Sequence, residues 1–200
     1  MFSQKGGSGK STASIHIGVA AAEQFKTAML DADKQGTLTK WAERRENPEP
    51  AVVPAAPANI AEILTAAEAE GIEVAIVDCP PHIVAGAVEL VQVADLVVVP
   101  VQPTFPDMEA LPQALSVIEA AGKPFVFLVS RAQSKAPETA AAIEALSAVA
   151  DVCPTHFHDR RAFHRALMSG HAAIEFNKKQ GGAAAQEARE AFAWLMEKVQ

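Results

Sequence analysis

The sequence contains little cysteine and no long hydrophobic run. Two of its 200 residues are cysteines, Cys79 and Cys153, and this count argues against a disulfide-stabilised scaffold and favours a reducing cytoplasm. The longest apolar runs, LVVVPV at 96–101 and VAIV at 74–77, fall well short of the ~20 residues that a membrane-spanning helix needs. No secretory signal is visible, because the first residues lead directly into a glycine-rich stretch. We therefore expect a cytoplasmic protein without a membrane span.

Positive charge is scarce over most of the chain. The net charge of −7 argues against nucleic-acid binding over the whole surface. Residues 160–200 are the exception, since they carry seven Lys or Arg side chains against four Glu. This asymmetry indicates a local basic patch on an acidic body.

Short β-branched segments alternate with alanine-rich helical segments. The predicted strands cover 26–31, 51–55, 73–78, 95–101, 124–130 and 150–154, and the predicted helices cover 10–24, 36–46, 58–70, 106–121 and 137–149. Continuous apolar strands separated by helices predict a three-layer α/β fold, in which a mostly parallel, twisted sheet has helices on both faces. We expect residues 1–200 to form a single domain of this kind. The strand expected before the glycine-rich stretch is nearly missing, since only Phe2 and Ser3 are available for it.

A last helix is predicted over 183–199. Its Ala184, Ala188, Phe192, Leu195 and Val199 recur every three or four residues, which places them on one face that docks on the core. The segment is mixed in charge. We therefore interpret it as a core helix rather than a basic amphipathic membrane anchor.

The stretch KGGSGKS, at Lys5 to Ser11, has the composition of a phosphate-binding loop, although Gln4 stands where the usual first glycine would be. Its glycines permit a left-handed backbone and close approach, so successive N–H groups can point at an anion. Lys10 is placed to reach the β- and γ-phosphates of a nucleotide, and Ser11 offers a hydroxyl to Mg²⁺. The helical run that follows adds the positive end of a helix dipole.

Two further segments place carboxylates at the ends of predicted strands. VAIVD ends at Asp78, where an aspartate can bond the water shell of Mg²⁺ or the Ser11 hydroxyl. LDADKQG carries Asp31 and Asp33, whose alternation sends one side chain toward Mg²⁺ and the other toward an attacking water. Two carboxylates beside a phosphate loop would repel a nucleotide unless a metal ion lies between them. Each segment alone fits an ordinary turn, and their combination favours a nucleotide site.

Taken together, these segments resemble the ParA/MinD family of deviant Walker A ATPases. The family pattern K-G-G-x-x-K-[ST] is filled by Lys5, Gly6, Gly7, Lys10 and Ser11, and its D-x-D-x-Q switch is similar to Asp31, Asp33 and Gln35. VAIVDCPP, LVVVPVQPTFPDMEAL and RRAFHRALMSGHAAIEF are also similar to family segments, so the likeness covers nearly the whole chain. The short length and the DADKQGTLTKWAERR segment are closest to the short plasmid-partition ATPases.

The resemblance implies that the protein binds ATP with Mg²⁺ and hydrolyses it to ADP and phosphate. The implied catalytic residues are Lys5, which reaches a partner subunit's phosphates in a nucleotide-sandwich dimer, Lys10, which serves its own nucleotide, and Asp33, which positions the attacking water. The nucleotide contacts are expected at Gly6, Gly7, Ser8, Gly9, Lys10, Ser11 and Thr12. On the base side we expect Pro154 and the residues that follow it up to His158, together with Ser130 and Arg131. Ser11 is the implied Mg²⁺ ligand, and Asp31 and Asp78 support the metal.

The resemblance also implies partners. An ATP-bound homodimer would bind DNA without sequence preference, associate with the nucleoid and move a plasmid or chromosome over it. A small, ParB-like DNA-binding adaptor would stimulate slow ATP hydrolysis. The candidate DNA contacts, which would have to act together, are Arg160, Arg161, Arg165, Lys178 and Lys179. No membrane partner is expected.

Three other hypotheses stay open at this point. The cargo of the same ATPase can be a protein assembly or a DNA-transfer complex. A biosynthetic ligase of the same superfamily would use ATP but would not need Lys5 to act between subunits. Lys34 stands where the family usually has proline, so a nucleotide-dependent binding module that does not hydrolyse ATP is also open.

Two further metal hypotheses are weaker. Cys79 suggests a cluster ligand, but the only other cysteine, Cys153, lies 74 residues further on, so a buried structural role is favoured. A group of histidines close in sequence suggests zinc, but no cysteine or carboxylate spacing supports such a site. These histidines are His156, His158, His164 and His171.

Overall fold

The computed structural model describes residues 1–81, 86–176 and 182–199. In chain order its strands are β1 (Thr27–Asp31), β2 (Ala51–Pro54), β3 (Val74–Asp78), β4 (Val97–Val101), β5 (Phe125–Ala132) and β6 (Phe157–His158). Its helices are α1 (Lys10–Ala22), α2 (Thr37–Ala42), α3 (Ile60–Ala69), α4 (Ala87–Gln92), α5 (Phe105–Ala121), α6 (Pro137–Ser147), α7 (Arg161–Met168) and α8 (Gly182–Val199). Short 3₁₀ helices occupy Pro57–Asn59 and Ala173–Glu175.

The strands form two parallel three-stranded ladders, ordered β2-β1-β3 and β4-β5-β6. The first two residues of the chain join these ladders. The Met1 amino group donates to the Val77 carbonyl at 2.6 Å, and the Met1 carbonyl accepts from the Cys79 N–H at 3.2 Å. On the other side, the Phe2 N–H donates to the Val98 carbonyl at 2.9 Å. The expected first strand is therefore reduced to two residues that bridge β3 and β4.

Two apolar cores flank the sheet, because alternate residues of a strand face opposite sides. Met29, Val98 and Val126 pack with residues of α1 and α8 on one face. Their neighbours Leu30, Val97 and Phe127 pack with residues of α4, α5 and α6 on the other face. The prediction of a parallel sheet covered on both faces is confirmed.

Gly18 shows why α1 can lie so close to β1. A Cβ atom added at this position would stand 2.5 Å from the Met29 sulfur. Because glycine has no side chain, the helix that follows the phosphate loop packs directly on the central strand.

The strand predicted at 150–154 is wrong. Val152 forms only an isolated bridge with Phe127, and Pro154, which has no N–H, cannot extend the pairing. The last strand of the ladder is instead β6, two residues long. In addition, α2 ends at Ala42 rather than near residue 46, and α4 and α7 were not predicted.

The C-terminal helix docks as predicted over most of its length. Ala184, Ala188, Phe192 and Leu195 of α8 are buried in the core shared with α1, whereas Val199 is exposed, so that part of the predicted face is wrong. Within the described ranges of the chain, the helices include none that is both long enough and apolar enough to span a bilayer.

Candidate nucleotide site

The glycine-rich loop leads into α1 from the carboxyl ends of the central strands. Gly7 and Gly9 adopt φ values of 81° and 99°, in the left-handed region that favours glycine. Two side chains hold the loop in place: the Gln102 amide donates to the Gly7 carbonyl, and the Ser130 hydroxyl donates to the Ser8 carbonyl at 2.7 Å. The loop is therefore fixed from the ends of β4 and β5, where ligands bind in parallel sheets.

Lys10 is the first residue of α1, and its side chain is buried beneath the loop. Its ammonium group donates to the Lys5 carbonyl oxygen at 3.0 Å, and burial lowers its pKa. A buried ammonium at this place is suited to an anionic ligand, whose charge would offset the cost of burial.

One cleft of about 260 Å³ brings most of the predicted loop residues together. The loop contributes Gly6, Gly7, Gly9, Lys10, Ser11 and Thr12 to it. The segment after β1 contributes Asp33, Gln35 and Thr37. The remaining lining residues are Pro81, Ser130, Arg131, Phe157, His158, Asp159, Phe163 and His164. Predicted residues from two distant segments of the sequence therefore face a common space.

Asp78 lies at the end of β3 and is fully buried. Its Oδ1 atom accepts a hydrogen bond from the Ser14 hydroxyl at 3.0 Å, and burial raises its pKa to about 6 against the opposing effect of the Ser11 and Ser14 hydroxyls. Its Oδ2 atom has no hydrogen-bond partner among the described residues. An orphaned carboxylate oxygen beside a serine hydroxyl fits Mg²⁺, which takes hard oxygen ligands and is often bound by one or two carboxylates and substrate phosphates. Ser11 and Asp78 are the residues that would hold such an ion or its waters.

Asp31 and Asp33 have different environments. Asp31 is buried, and its carboxylate accepts from the Thr39 N–H at 2.8 Å, the Thr39 hydroxyl at 2.9 Å and the Asp33 N–H at 3.3 Å. These bonds tie α2 to the end of β1, so Asp31 would support a metal only indirectly. Asp33 lines the nucleotide cleft, and its Oδ1 atom accepts from the Gln35 N–H at 2.9 Å. Lys34, between Asp33 and Gln35, is exposed.

The Lys5 side chain does not take part in the cleft of its own chain, since Lys5 is not among the described residues that line it. Its ammonium group forms an ion pair with Asp107, a buried carboxylate in the first turn of α5. The same carboxylate accepts from the Thr104 hydroxyl at 2.7 Å. Lys5 is therefore held toward α5.

The profile of the CobQ/CobB/MinD/ParA nucleotide binding domain family matches residues 1–174 of this chain. The chain belongs to this family. The match includes the glycine loop, the carboxylates at the ends of β1 and β3, and the wall of the cleft around β6.

Proteins similar to this nucleotide-binding domain have names that refer to different processes. The chain is 31% identical over 123 residues to the maintenance of carboxysome distribution protein A of Halothiobacillus neapolitanus, which covers 60% of this chain and 56% of that protein. The chain thus spans about half the length of the curated relatives it matches. By fold it is similar to the MinD cell division protein of Aquifex aeolicus, with a TM-score of 0.77, 20% identity and coverage of 98% of this chain and 94% of that chain. It is also similar to the cobyrinic acid a,c-diamide synthase of Mycobacterium smegmatis with bound ATP analogue and magnesium, with a TM-score of 0.70, 19% identity and coverage of 98% and 92%.

Of the residues predicted on the base side for this nucleotide-binding domain, Phe157, His158, Ser130 and Arg131 line the cleft, whereas Pro154 is not among the described residues that do. Phe163 also lines it, and its ring centroid lies 4.9 Å from that of Phe157, with the planes inclined by 18°. Both residues are only 3% exposed, so their rings form an apolar part of the cleft wall that is continuous with the core.

The candidate DNA contacts lie in different environments. Arg161 and Arg165 are exposed one turn apart on α7. Arg160 is bonded through its guanidinium to Glu187 of α8. Lys178 and Lys179 lie outside the described residues.

The structure also bears on the two metal hypotheses. Cys79 and Cys153 are free and buried, in agreement with a structural role for both. In residues 1–81, 86–176 and 182–199, no group of three His, Cys, Asp or Glu side chains is close enough to hold a metal ion. A magnesium ion here would therefore depend on the Ser11 hydroxyl and on phosphate oxygens as well as a carboxylate.

Several residues that shape the site were missed in the sequence. Ser14 follows Lys10 by one helical turn, so only its placement on the same face of α1 hinted at a role. Thr39, Gln102 and Asp107 act through partners 8, 95 and 102 residues away in the chain. No local pattern identifies such pairs.

Proposed function

We propose that this domain is a ParA-type ATPase that binds ATP with Mg²⁺ and hydrolyses it slowly to ADP and phosphate. The cleft supports this because it combines a glycine loop, the buried Lys10 ammonium and the Asp33 carboxylate within one space. Magnesium, when bound, neutralises charge on the phosphate oxygens and on the leaving group.

Each side chain has a distinct part in this proposal. The backbone N–H groups of the loop and Lys10 hold the phosphates, and the Ser11 hydroxyl is offered to the metal. Asp33 lines the cleft together with Gln35 and Thr37 and orients the attacking water. Asp78 lies behind Ser11 and supports the metal through its orphaned oxygen.

The observation that carries a dimeric switch is the position of Lys5. Its side chain is paired with Asp107 and is not among the described residues that line its own cleft. Among the described residues of one chain, Lys10 is therefore the lysine whose ammonium group is offered to the phosphates. The active form that we propose is an ATP-bound homodimer in which Lys5 of each subunit reaches the phosphates held by the other, as an arginine finger does elsewhere.

The ATP-bound dimer would position a cargo over DNA. Arg161 and Arg165 offer positive charge on the exposed face of α7, and a dimer doubles it. Binding would be independent of sequence and would weaken steeply with salt, because it rests on phosphate contacts. Such a protein would associate with the nucleoid, and a small DNA-binding adaptor of ParB type would accelerate its hydrolysis and link it to the cargo.

A specific observation favours a protein assembly over a plasmid as that cargo. The curated relatives that match this chain at 31% and 32% identity are named for the maintenance of carboxysome distribution. A large protein assembly, rather than a plasmid or chromosome, is thus the cargo we put first, and plasmid partition is the second.

One experiment tests the switch itself. Mass is measured by light scattering, and retention on non-specific double-stranded DNA is measured in parallel, with ADP, with ATP and with ATP for Lys5→Ala. We expect dimer formation and salt-sensitive DNA retention only for the unsubstituted chain with ATP. A chain that stays monomeric with ATP, or that retains DNA equally without nucleotide, contradicts the proposal.

A biosynthetic ligase is an alternative to the ATPase switch, because the cobyrinic acid a,c-diamide synthase of Mycobacterium smegmatis has a similar fold. A ligase would consume ATP only when a carboxylate substrate is present and would not require Lys5 to act across subunits. Three results together would exclude a ligase. The unsubstituted chain hydrolyses ATP without any added substrate, Lys5→Ala loses this turnover, and a mixture of Lys5→Ala with Asp33→Ala restores it. Restoration is expected because a mixed dimer contains one site with an intact Asp33 and a partner's Lys5.

A further inference from the structure

The part of the cleft wall formed by residues 157–159 has little support from the sheet. Strand β6 pairs with β5 only through the register positions Ser130 with Phe157 and Ala132 with His158, and the register shifts between them. This short segment nevertheless carries three of the residues that line the cleft, Phe157, His158 and Asp159. Phe157 is also held by its burial in the core, but the polar residues His158 and Asp159 need a support other than the ladder.

Glu187 of α8 supplies that support. Its carboxylate is only 8% exposed, and one oxygen accepts from the His158 N–H at 3.1 Å. The other oxygen accepts from His158 Nδ1 at 2.9 Å and from the Arg160 guanidinium, through Nε at 2.7 Å and through its terminal nitrogen at 2.6 Å. Since a carboxylate only accepts, the Nδ1 atom of His158 carries a proton in this contact.

This pattern is more than a surface ion pair. A carboxylate with this little exposure is costly unless its oxygens are bonded, and here both oxygens are. The donors flank Asp159 on both sides, so the contact fixes the backbone direction of the segment 158–160. Beside that segment the stacked and mostly buried rings of Phe157 and Phe163 give the cleft an apolar stretch of wall, which suits a purine.

We propose that Glu187 is the positioning residue for the base-binding end of the nucleotide cleft, acting through His158 and Arg160. The proposal rests on the proposed function, since it takes a nucleoside triphosphate as the ligand. In this arrangement Arg160 binds Glu187 of α8 and helps to position residues 158–160, rather than contacting DNA.

The test separates the two ends of the cleft by using two ligands in the presence of Mg²⁺. Binding of ATP and of inorganic triphosphate to the full chain is measured by calorimetry for the unsubstituted protein, Glu187→Gln and Glu190→Gln. Glu187→Gln keeps the shape of the side chain but replaces an acceptor oxygen by a donor facing Arg160. We expect its affinity for ATP to fall on the order of tenfold, because a charge-assisted network is lost, while its affinity for inorganic triphosphate stays unchanged.

Glu190 is the matched control on the same helix. It is exposed and contacts the Thr155 hydroxyl at 3.0 Å and the Gln186 amide at 2.7 Å, away from the residues that line the cleft. We expect Glu190→Gln to bind both ligands as the unsubstituted chain does. If Glu187→Gln loses affinity for both ligands equally, the residue supports the fold in general and the positioning role is overturned. Unchanged affinity for both ligands would overturn it as well.

Arg160→Gln provides a second variant that leaves the Glu187 bonds to His158 in place. We expect a smaller loss of ATP affinity, on the order of threefold, again without a change for inorganic triphosphate. An unchanged ATP affinity in Arg160→Gln would show that Arg160 does not contribute to the positioning role of Glu187. If the unsubstituted chain binds inorganic triphosphate but not ATP, the proposed function fails while the phosphate loop stands, so the two failures are distinguishable.

Discussion

Lys5 and Asp107 form an ion pair within a single chain, between the start of the glycine loop and the first turn of α5. The Lys5 side chain is 33% exposed and the Asp107 side chain only 2% exposed. The Gln102 N–H and the Thr104 hydroxyl also donate to this carboxylate, at 3.4 Å and 2.7 Å. Removing Lys5 would leave a nearly buried charge with only neutral donors, so the pair opposes the movement of Lys5 toward a second subunit.

Asp107→Asn should therefore favour the ATP-bound dimer. The asparagine keeps one acceptor oxygen, which can serve the Thr104 hydroxyl, and gives up the oxygen that the Gln102 N–H approaches only at 3.4 Å. It loses the charge that holds Lys5. We expect the apparent dissociation constant of the dimer, measured by sedimentation with a non-hydrolysable ATP analogue, to fall about three- to tenfold.

The control for this prediction is Thr104→Val, which removes a hydroxyl from the same carboxylate and leaves its charge. It should not tighten the dimer, and the gain in Asp107→Asn should vanish when Lys5→Ala is added. A weaker dimer in Asp107→Asn would show that Asp107 presents Lys5 to the partner rather than restraining it.

Asp33→Ala should retain ATP binding and lose hydrolysis. Asp33 faces the cleft, but the loop geometry and Lys10 are independent of its carboxylate. Positioned acid–base groups contribute on the order of 10²- to 10⁴-fold to rate, so we expect turnover to fall at least about 100-fold at similar ATP affinity. Lys34→Ala, at the exposed neighbouring position, should change turnover by less than about twofold, because Lys34 is not among the described residues that line the nucleotide cleft. Equal turnover in Asp33→Ala and the unsubstituted chain would remove Asp33 from the reaction.

Gly9→Ala should weaken nucleotide binding strongly at modest cost in stability. The residue has a φ of 99°, and an added Cβ would lie 3.1 Å from the Ser130 Oγ atom that anchors the loop. We expect a loss of about 1–3 kcal/mol in the free energy of unfolding and at least a tenfold loss in ATP affinity. Gly122→Ala has a comparable φ of 65° with no atom within 4 Å of the added Cβ, and it lies at the end of α5. It should cost stability without affecting ATP affinity; similar affinity losses in both variants would refute a specific role for Gly9.

His16 should make the protein less stable in mild acid. Burial lowers the pKa of this α1 residue to about 3; its Nδ1 atom accepts from the Ala173 N–H at 3.1 Å, and its ring meets Phe163 edge-on at 4.7 Å. The unfolded chain binds a proton near pH 6.5 while the folded chain does not, so the stabilisation is complete above that pH and is lost as the pH falls toward 3. Between pH 6.5 and pH 5 this group should cost about 2 kcal/mol.

Urea unfolding at a series of pH values checks this prediction. Glu175 and His164 are the charged groups that face His16, and their effects on its pKa are opposite and smaller than that of burial. His16→Asn should flatten the pH dependence below pH 6.5, whereas His164→Asn, at a position half exposed to solvent, should leave the slope nearly unchanged. Equal slopes for His16→Asn and the unsubstituted chain would contradict the prediction.

Arg45→Lys should destabilise the junction between α2 and the segment 170–175. Arg45 is 3% exposed, bonds both oxygens of Glu175 at 2.7 and 2.8 Å and donates to the Gly170 carbonyl at 3.0 Å. Lysine cannot reproduce this fork, so we expect the free energy of unfolding to fall about 1–3 kcal/mol. Arg189→Lys is the matched control, because Arg189 forms a similar pair with Glu23 whose side chains are 50% and 36% exposed. It should cost less than about 1 kcal/mol, and equal losses at the two sites would show that burial is not the decisive factor.

Local sequence determined the phosphate loop, the helix that follows it and the strand-end carboxylates. Glycines, Lys10 and Ser11 act on a ligand through backbone and side chains a few residues apart, so their spacing alone indicates the chemistry. The same holds for the alternation that sends Met29 and Leu30 to opposite cores. The two-residue strand β6 escaped this kind of inference because its position depends on where Pro154 ends the pairing before it.

Tertiary structure alone decided which of these groups meet. Ser14 reaches Asp78 over 64 residues, Ser130 reaches Ser8 over 122, and Asp107 holds Lys5 over 102. Such pairs arise because a parallel sheet gathers the carboxyl ends of strands that are far apart in the chain along one edge. The sequence by itself thus determined that a phosphate loop is present, whereas the fold decided that Lys10 faces its own cleft and Lys5 is held outside it.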